Sequence, residues 1–212
     1  MDQAGYSVSS AGDVNGDGKN DLIIGTSNAR GSAGQAYVVF GKSSFSPPLE
    51  LSTLNGSNGF IMNGIAVRDW ARISVSSAGD INGDGIDDLI IGAQLAASSS
   101  RSATGQAYVV FWSIIFYSPL ELSTLNGSNG FIINGIAAGN LAGYSVSSAG
   151  DINGDGSNGF IINGIADYDF AGSSVSLVGD INGDGRDDLL IGAPGADPDS
   201  KTVAGQALHS LF

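Results

Sequence analysis

One string constrains the fold of this chain more than any other. SVSSAGD begins at Ser7, Ser74 and Ser145, and a variant, SVSLVGD, begins at Ser174. Other strings recur with it. GQAYVVF begins at Gly34 and Gly105, with a worn copy, GQALHSLF, from Gly205. LELSTLNGSNGF begins at Leu49 and Leu120, and NGIA recurs at Asn63, Asn134 and Asn163. A chain that repeats itself in this way must stack copies of one supersecondary unit, because a single unit cannot bury its own apolar face.

The unit is about seventy residues long and holds four strand-like segments. They are A (SVSSAGD), B (DLIIGA), C (GQAYVVF) and D (NGFIINGIA). None has a convincing helical period. Segment B is apolar at both parities (Leu22, Ile23, Ile24; Leu89, Ile90, Ile91), which predicts a strand covered on both faces. Four strands repeated in tandem predict an all-β chain of propeller-like blades. The expected organisation is one repeat domain, 1–212, with units 1–70, 71–141, 142–170 and 171–212.

Units one and two are complete. Unit three runs from DINGDG straight into SNGFIINGIA, so its B and C segments are missing; unit four has A, B and a degraded C. The junction GDGSNG (154–159) matches LNGSNG (54–59) closely enough to predict a recombinational deletion. After Phe111 unit two reads WSIIFYSP where unit one reads GKSSFSPP, a change that a pair of compensating frameshifts or plain loop divergence would explain. Trp112, Ile114, Ile115, Phe116 and Tyr117 thus stand where a polar turn is expected, and form a sticky patch if exposed.

Composition enters through its acid. The net charge is −13, which argues against nucleic acid or an anionic membrane as partner. Of the 21 Asp and Glu, 13 fall in four short windows: Asp13, Asp17, Asp21; Asp80, Asp84, Asp87, Asp88; Asp151, Asp155; and Asp180, Asp184, Asp187, Asp188. Carboxylates packed this closely repel unless a cation sits among them, so the charge is local chemistry rather than a solubility device. There is no Cys, which removes thiolate metal sites, disulfides and a Cys nucleophile. No apolar run suits a membrane span, and MDQAGYSVSS has neither the basic nor the apolar region of an export signal.

Each window joins A to B and reads D-x-N-x-D-G-x-x-D in three of the four copies. The oxygen-bearing side chains are Asp13, Asn15, Asp17 and Asp21; Asp80, Asn82, Asp84 and Asp88; and Asp180, Asn182, Asp184 and Asp188. Position seven (Lys19, Ile86, Arg186) varies in type, as a ligand acting through its backbone carbonyl allows. Hard oxygens without nitrogen or sulfur suit Ca2+, and suit magnesium less, since that ion keeps several waters in a strict octahedron. An EF-hand shares the first nine positions, but position twelve is Ile24, Ile91 or Ile191 instead of Glu, so the ninth-position Asp is expected to close the site. The competing reading is a plain Asx/Gly turn. Loop three keeps Asp151, Asn153, Asp155 and Ser157 but has Gly159 at position nine, which predicts a weak fourth site.

Phe40-Gly41, GDVNGDGKNDLIIG (12–25) and GDINGDGRDDLLIGAP (179–194) resemble FG-GAP repeats, the repeats of integrin α-subunit propellers and of many bacterial surface and secreted proteins. The resemblance covers nearly the whole chain. It implies four-stranded antiparallel blades with calcium in the loop between the first two strands, and an extracellular or cell-surface setting. A closed propeller of this family has seven blades, whereas this chain offers two full and two partial ones, so an incomplete propeller is expected.

The expected function is a calcium-stabilised interaction module that meets a protein or glycan ligand, without catalysis. Self-association through open blade edges is a further expectation. The one histidine, His209, lies three residues from the end of the sequence, a poor place for a catalytic triad. Asp167 and Asp169 read as a solvated loop, and Gln94–Thr104 as a flexible B–C loop with room for specificity. Two alternatives stand beside this reading: a non-functional fragment of a larger recombining repeat protein, and an accessory domain of a secreted enzyme.

Overall fold

The computed structural model describes residues 3–27, 29, 33–45, 48–65, 73–96, 104–112, 118–135, 141–149, 172–184, 188–195 and 206–210. The chain divides into two compact units, Met1–Val146 and Ser147–Phe212. Among the described residues there are twelve strands and two single 3-10 turns, so the all-β expectation is what is found.

In the first unit, segments A to D of the first repeat form β1 (Gln3–Gly12), β2 (Asp21–Ser27), β3 (Gln35–Val39) and β4 (Gly59–Asn63). Those of the second form β5 (Ile73–Gly79), β6 (Asp88–Ala93), β7 (Gln106–Val110) and β9 (Gly130–Asn134). Each set is an antiparallel meander in sequence order, the four-stranded blade that the repeat predicts. The two registers match position for position: Ile24 pairs Val8 and Tyr37 as Ile91 pairs Val75 and Tyr108.

One strand escaped the sequence reading. Leu120–Glu121 forms β8, which adds parallel to β4 and closes the edge of blade one. Asn63 Nδ2 donates to Glu121 Oε1 at 2.6 Å, and the Ile61 N–H donates to Ser118 Oγ at 3.2 Å. The linker of the second repeat therefore covers an edge that would otherwise present bare amides.

The two blades share one core. Ile23, Val38, Phe60 and Met62 of blade one meet Val75, Leu89, Ile91 and Tyr108 of blade two. Trp112 belongs to this core, not to an exposed patch. It is buried, stacked on Phe60 with ring centroids 4.2 Å apart, and meets Phe40 edge-on at 6.0 Å. Aromatic pairs of this kind contribute about 0.5–1.5 kcal/mol beyond the area they bury. Ile114, Ile115, Phe116 and Tyr117 lie outside the described residues.

Segment B is covered on both faces only in blade two's favour: Leu89 is buried, while its counterpart Leu22 is exposed. The cause is stacking within this unit: Leu89 faces into the core that the two blades share, and Leu22 is not part of it.

The second unit contains β10 (Ser174–Gly179), β11 (Asp188–Ala193) and β12 (Gln206–Ser210), an antiparallel sheet made of segments A, B and C. Segment A of unit three is different. Ser145–Ala149, described in the structure, are not in a strand, although Ser7–Ala11 and Ser74–Ala78 have the same sequence and are. The B segment that would pair with it is missing from the sequence, so its backbone has no ladder to join. The rest of unit three, including segment D, lies outside the described residues.

Candidate metal centre

Each acidic loop hangs between strands A and B, and each follows the same irregularity. The A–B register shifts between Ser10 and Gly12, Ser77 and Gly79, and Leu177 and Gly179. A bulge at that point re-aims the strand and delivers its next residue, the first Asp, into the loop.

The loop then closes on its own amides. Asp13 Oδ1 accepts the N–H of Asp17 at 3.0 Å, and Oδ2 accepts that of Gly18 at 2.7 Å. Asn15 Oδ1 shares the Asp17 N–H at 2.9 Å, and Asp17 Oδ1 accepts from Lys19 at 3.0 Å. Gly18 has φ of +82°, a left-handed turn that glycine adopts without steric cost. Loop two repeats the pattern: Asp80 accepts from Gly83, Asp84 and Gly85, Asn82 from Asp84, and Asp84 from Ile86. In loop four, Asp180 accepts from Gly183 and Asp184, and Asn182 from Asp184. Positions one, three and five are thus gathered on a single turn in all three loops.

The ninth position is built differently. Asp21, Asp88 and Asp188 are the first residues of β2, β6 and β11, and all three are buried. Asp21 Oδ2 accepts the N–H of Val14 at 3.1 Å, and Oδ1 accepts that of Gly41 at 2.7 Å. Asp88 Oδ2 accepts from Ile81 at 2.9 Å, and Oδ1 from Trp112 at 3.1 Å. Asp188 Oδ2 accepts from Ile181 at 2.9 Å. The ninth-position carboxylate therefore staples the start of its loop to the start of strand B, and in blades one and two also to the residue after segment C.

Burial raises the Asp21 carboxyl above its ordinary value; the amides of Gly41 and Val14 oppose that rise, and repulsion from Asp13 and Asp17 adds to it. Burial likewise raises Asp88, against the amides of Trp112, Ile81 and Asn82 and with repulsion from Asp84.

The donor set fits a hard divalent cation: carboxylate and amide oxygens, with no nitrogen or sulfur. Among the described residues no three carboxylates converge on one point. Asp17 Oδ2 meets Lys19 Nζ at 3.2 Å, an exposed pair that a competing cation would displace. Asp151, Asn153, Asp155 and Ser157, and also Arg186, lie outside the described residues. So do Asp167, Asp169 and residues 97–103 of the B–C loop. Among the described residues no helix is long and apolar enough to cross a membrane.

The loops were legible from spacing. The link from Asp21 to Gly41 was not, although the Phe-Gly at 40–41 was its only sequence trace.

Comparison with known proteins agrees with this architecture. A family model for the FG-GAP repeat matches residues 4–39, 73–110 and 171–209; each match takes in the described strands A and B and ends in strand C. The chain is 31% identical over 152 residues to integrin alpha pat-2 of Caenorhabditis elegans, covering 68% of this chain and 12% of that protein. It is 29% identical over 112 residues to phosphatidylinositol-glycan-specific phospholipase D of Rattus norvegicus, covering 50% of this chain and 13% of the relative. The bovine phospholipase gives 31% over 113 residues, covering 51% and 13%. The chain thus spans roughly an eighth of the length of these relatives. With three matched repeats that coincide with three sheets, each opening on the same acidic loop, the chain belongs to the FG-GAP repeat family.

Proposed function

We propose that this chain is a calcium-stabilised β-propeller-type repeat module that binds a protein or glycan ligand outside the cell or at its surface, and that it is not itself an enzyme. The observation that carries the calcium reading is the recurrence of one oxygen-donor turn in three loops. Asp13, Asn15 and Asp17, with the Lys19 carbonyl, would hold one ion; Asp80, Asn82 and Asp84, with the Ile86 carbonyl, a second; and Asp180, Asn182 and Asp184, with the Arg186 carbonyl, a third. Asp21, Asp88 and Asp188, at the ninth position, would complete these sites through their carboxylate oxygens.

The ions would be structural. Each offsets the repulsion of a carboxylate cluster and pins the A–B turn, so binding is coupled to folding. Three divalent cations would cancel nearly half of the −13 formal charge. The likeness to an integrin alpha supports the extracellular setting and the adhesive role.

Isothermal titration with calcium tests the reading. About three tight equivalents per chain are expected, with loop three weaker or silent, together with a rise in thermal midpoint that a chelator reverses. Absence of binding would leave the loops as plain Asx/Gly turns.

The likeness to the phospholipases supports a second reading, in which the module is an accessory part of a larger enzyme. On that reading the isolated chain still binds calcium and has no hydrolytic activity.

A further inference from the structure

The pair Asn-Gly occurs twelve times in the chain, and nine of the copies lie among the described residues. It is a pair prone to spontaneous deamidation, because glycine has no Cβ to keep its backbone nitrogen away from the preceding side-chain carbonyl carbon. In an unfolded chain the copies are nearly alike, so a difference between them belongs to the fold.

The fold restrains eight of the nine. Gly83 and Gly183 donate their N–H groups to Asp80 Oδ1 at 2.7 Å and Asp180 Oδ1 at 2.6 Å. Gly56 and Gly127 donate to the carbonyls of Gly59 and Gly130, and Gly64 and Gly135 to those of Gly34 and Gly105. At Asn58 and Asn129 the side chain is held instead. Their Nδ2 groups donate to the carbonyls of Thr53 and Thr124, and their Oδ1 atoms accept from the backbone of Asn55 and Asn126. An N–H that donates to a carboxylate resists losing its proton, since the nitrogen anion would form beside a negative charge.

Asn15-Gly16 is the exception. In loops two and four the position-three amide is held as well, Asn82 by Asp88 at 3.3 Å and Asn182 by Asp188 at 3.4 Å. In loop one Asp21 accepts from Val14 and Gly41, and Asp13 from Asp17 and Gly18. Neither the Asn15 nor the Gly16 amide has an acceptor in its loop. Val14 is drawn into the core, whereas its counterpart Ile81 is exposed. Asn15 Oδ1 accepts the Asp17 N–H at 2.9 Å, as in the other loops, and that bond steadies negative charge on the oxygen when its carbon is attacked. The space beside Gly16 is open, with nothing within 4 Å of where a Cβ would stand.

We propose that Asn15 is a deamidation site selected by the fold from among the described Asn-Gly pairs. The Gly16 nitrogen gives its proton to water and bonds to Asn15 Cγ. The Cγ–Nδ2 bond breaks, and Nδ2 leaves as ammonia with a proton taken from water. Water then opens the cyclic imide, at the side-chain carbonyl to give aspartate or at the main-chain carbonyl to give isoaspartate. The sum consumes a water and releases an ammonia. Loop one gains a negative charge at position three, between Asp13 and Asp17, and in the isoaspartate product its backbone is longer by a carbon atom. The inference does not rest on the calcium reading, because the reaction belongs to the metal-free loop.

The test is peptide mapping by mass spectrometry of the full-length chain, incubated with a chelator at mildly alkaline pH, both folded and in urea. In the folded chain Asn15 should react about tenfold faster than Asn82 and Asn182, a factor set by the hydrogen bond that those loops must first break. In urea the three should react alike. Asp80→Ala removes the acceptor of the Gly83 N–H and should bring Asn82 up to the rate of Asn15, while Asn126 stays slow and so reports an intact fold. Three results would overturn the proposal: Asn82 or Asn182 as fast as Asn15 in the folded chain, a lead for Asn15 that persists in urea, or an Asn82 whose rate Asp80→Ala leaves unchanged.

Discussion

The backbone N–H of Gly41 donates to Oδ1 of Asp21 at 2.7 Å, which ties the second residue after strand β3 to the first residue of strand β2, where the acidic loop ends. Trp112 does the same for Asp88 at 3.1 Å. The ninth-position Asp thus has structural work that is independent of any ion. Asp21→Ala would leave the buried amide of Val14 and the half-buried amide of Gly41 without an acceptor, at about 1–3 kcal/mol for the buried group and less for the other. Asp13→Ala, whose partner amides are exposed, should cost less. Urea unfolding in the presence of a chelator measures both, and equal losses would sink the distinction.

On the proposed reading calcium adds a second cost to any such substitution. Asp84→Ala removes a ligand from loop two on the proposed reading and should lower the titrated stoichiometry by one. The stabilisation lost with that ion is about 2.7 kcal/mol when free calcium is 100 times its dissociation constant. Thermal melts of the variant and the wild type, with calcium and with a chelator, check this; an unchanged stoichiometry would count against loop two as a site.

Trp112 stands where the first repeat has Gly41, and it fills the space between the blades. Restoring the repeat's residue with Trp112→Gly should cost about 3–5 kcal/mol, the usual penalty for deleting a buried aromatic ring. Chemical denaturation measures the loss. A change under about 1 kcal/mol would show that the ring is not packed in the core.

The two loops of the first unit touch through Asp87, whose Oδ2 accepts the N–H of Asp13 at 3.0 Å. Gly12 has φ of +73°, and a Cβ there would lie 2.0 Å from the same oxygen. Gly12→Ala should therefore carry both a backbone cost of about 1 kcal/mol and a clash. Asp87→Ala should lose about 0.5–1.5 kcal/mol. In the double variant the clash with the carboxylate is gone and only the Cβ of residue 87, at 2.7 Å, stays too close, so the combined loss should fall short of the sum. Additive losses in a double-mutant cycle would refute the contact.

Burial raises the carboxyls of Asp21 and Asp88 above the ordinary value of 3.8, so the folded, calcium-free chain holds these protons more tightly than the unfolded chain. Stability from this source is fully present below the unfolded value and is lost as pH rises through the folded one. The contribution of these two groups to the calcium-free stability should therefore grow as pH falls towards the unfolded value of 3.8. Calcium affinity should move the other way, because ligation needs the carboxylates deprotonated. Comparison of the wild type with Asp21→Asn and Asp88→Asn across pH isolates this contribution, and a wild-type advantage that shrinks on acidification would contradict the assignment.

The repeat by itself determined the strand order within each described blade and the position of the three described acidic loops. Period-two apolar runs bounded by glycines specify strands, and a turn such as Asp80–Asp84 is held by side chains within a few residues of one another. These are local relations, and local relations are written in sequence. The tertiary structure decided the rest. Ser7–Ala11 and Ser145–Ala149 have one sequence, and only the first is a strand, because a strand needs a partner ladder that no property of the segment supplies. Leu22 and Leu89 have one place in the repeat, and stacking alone exposes the first and buries the second. Trp112 read as a patch and is core, because the ring that receives it, Phe60, belongs to another blade. In each case the deciding contact is distant in the chain, and burial depends on the neighbour rather than on the residue.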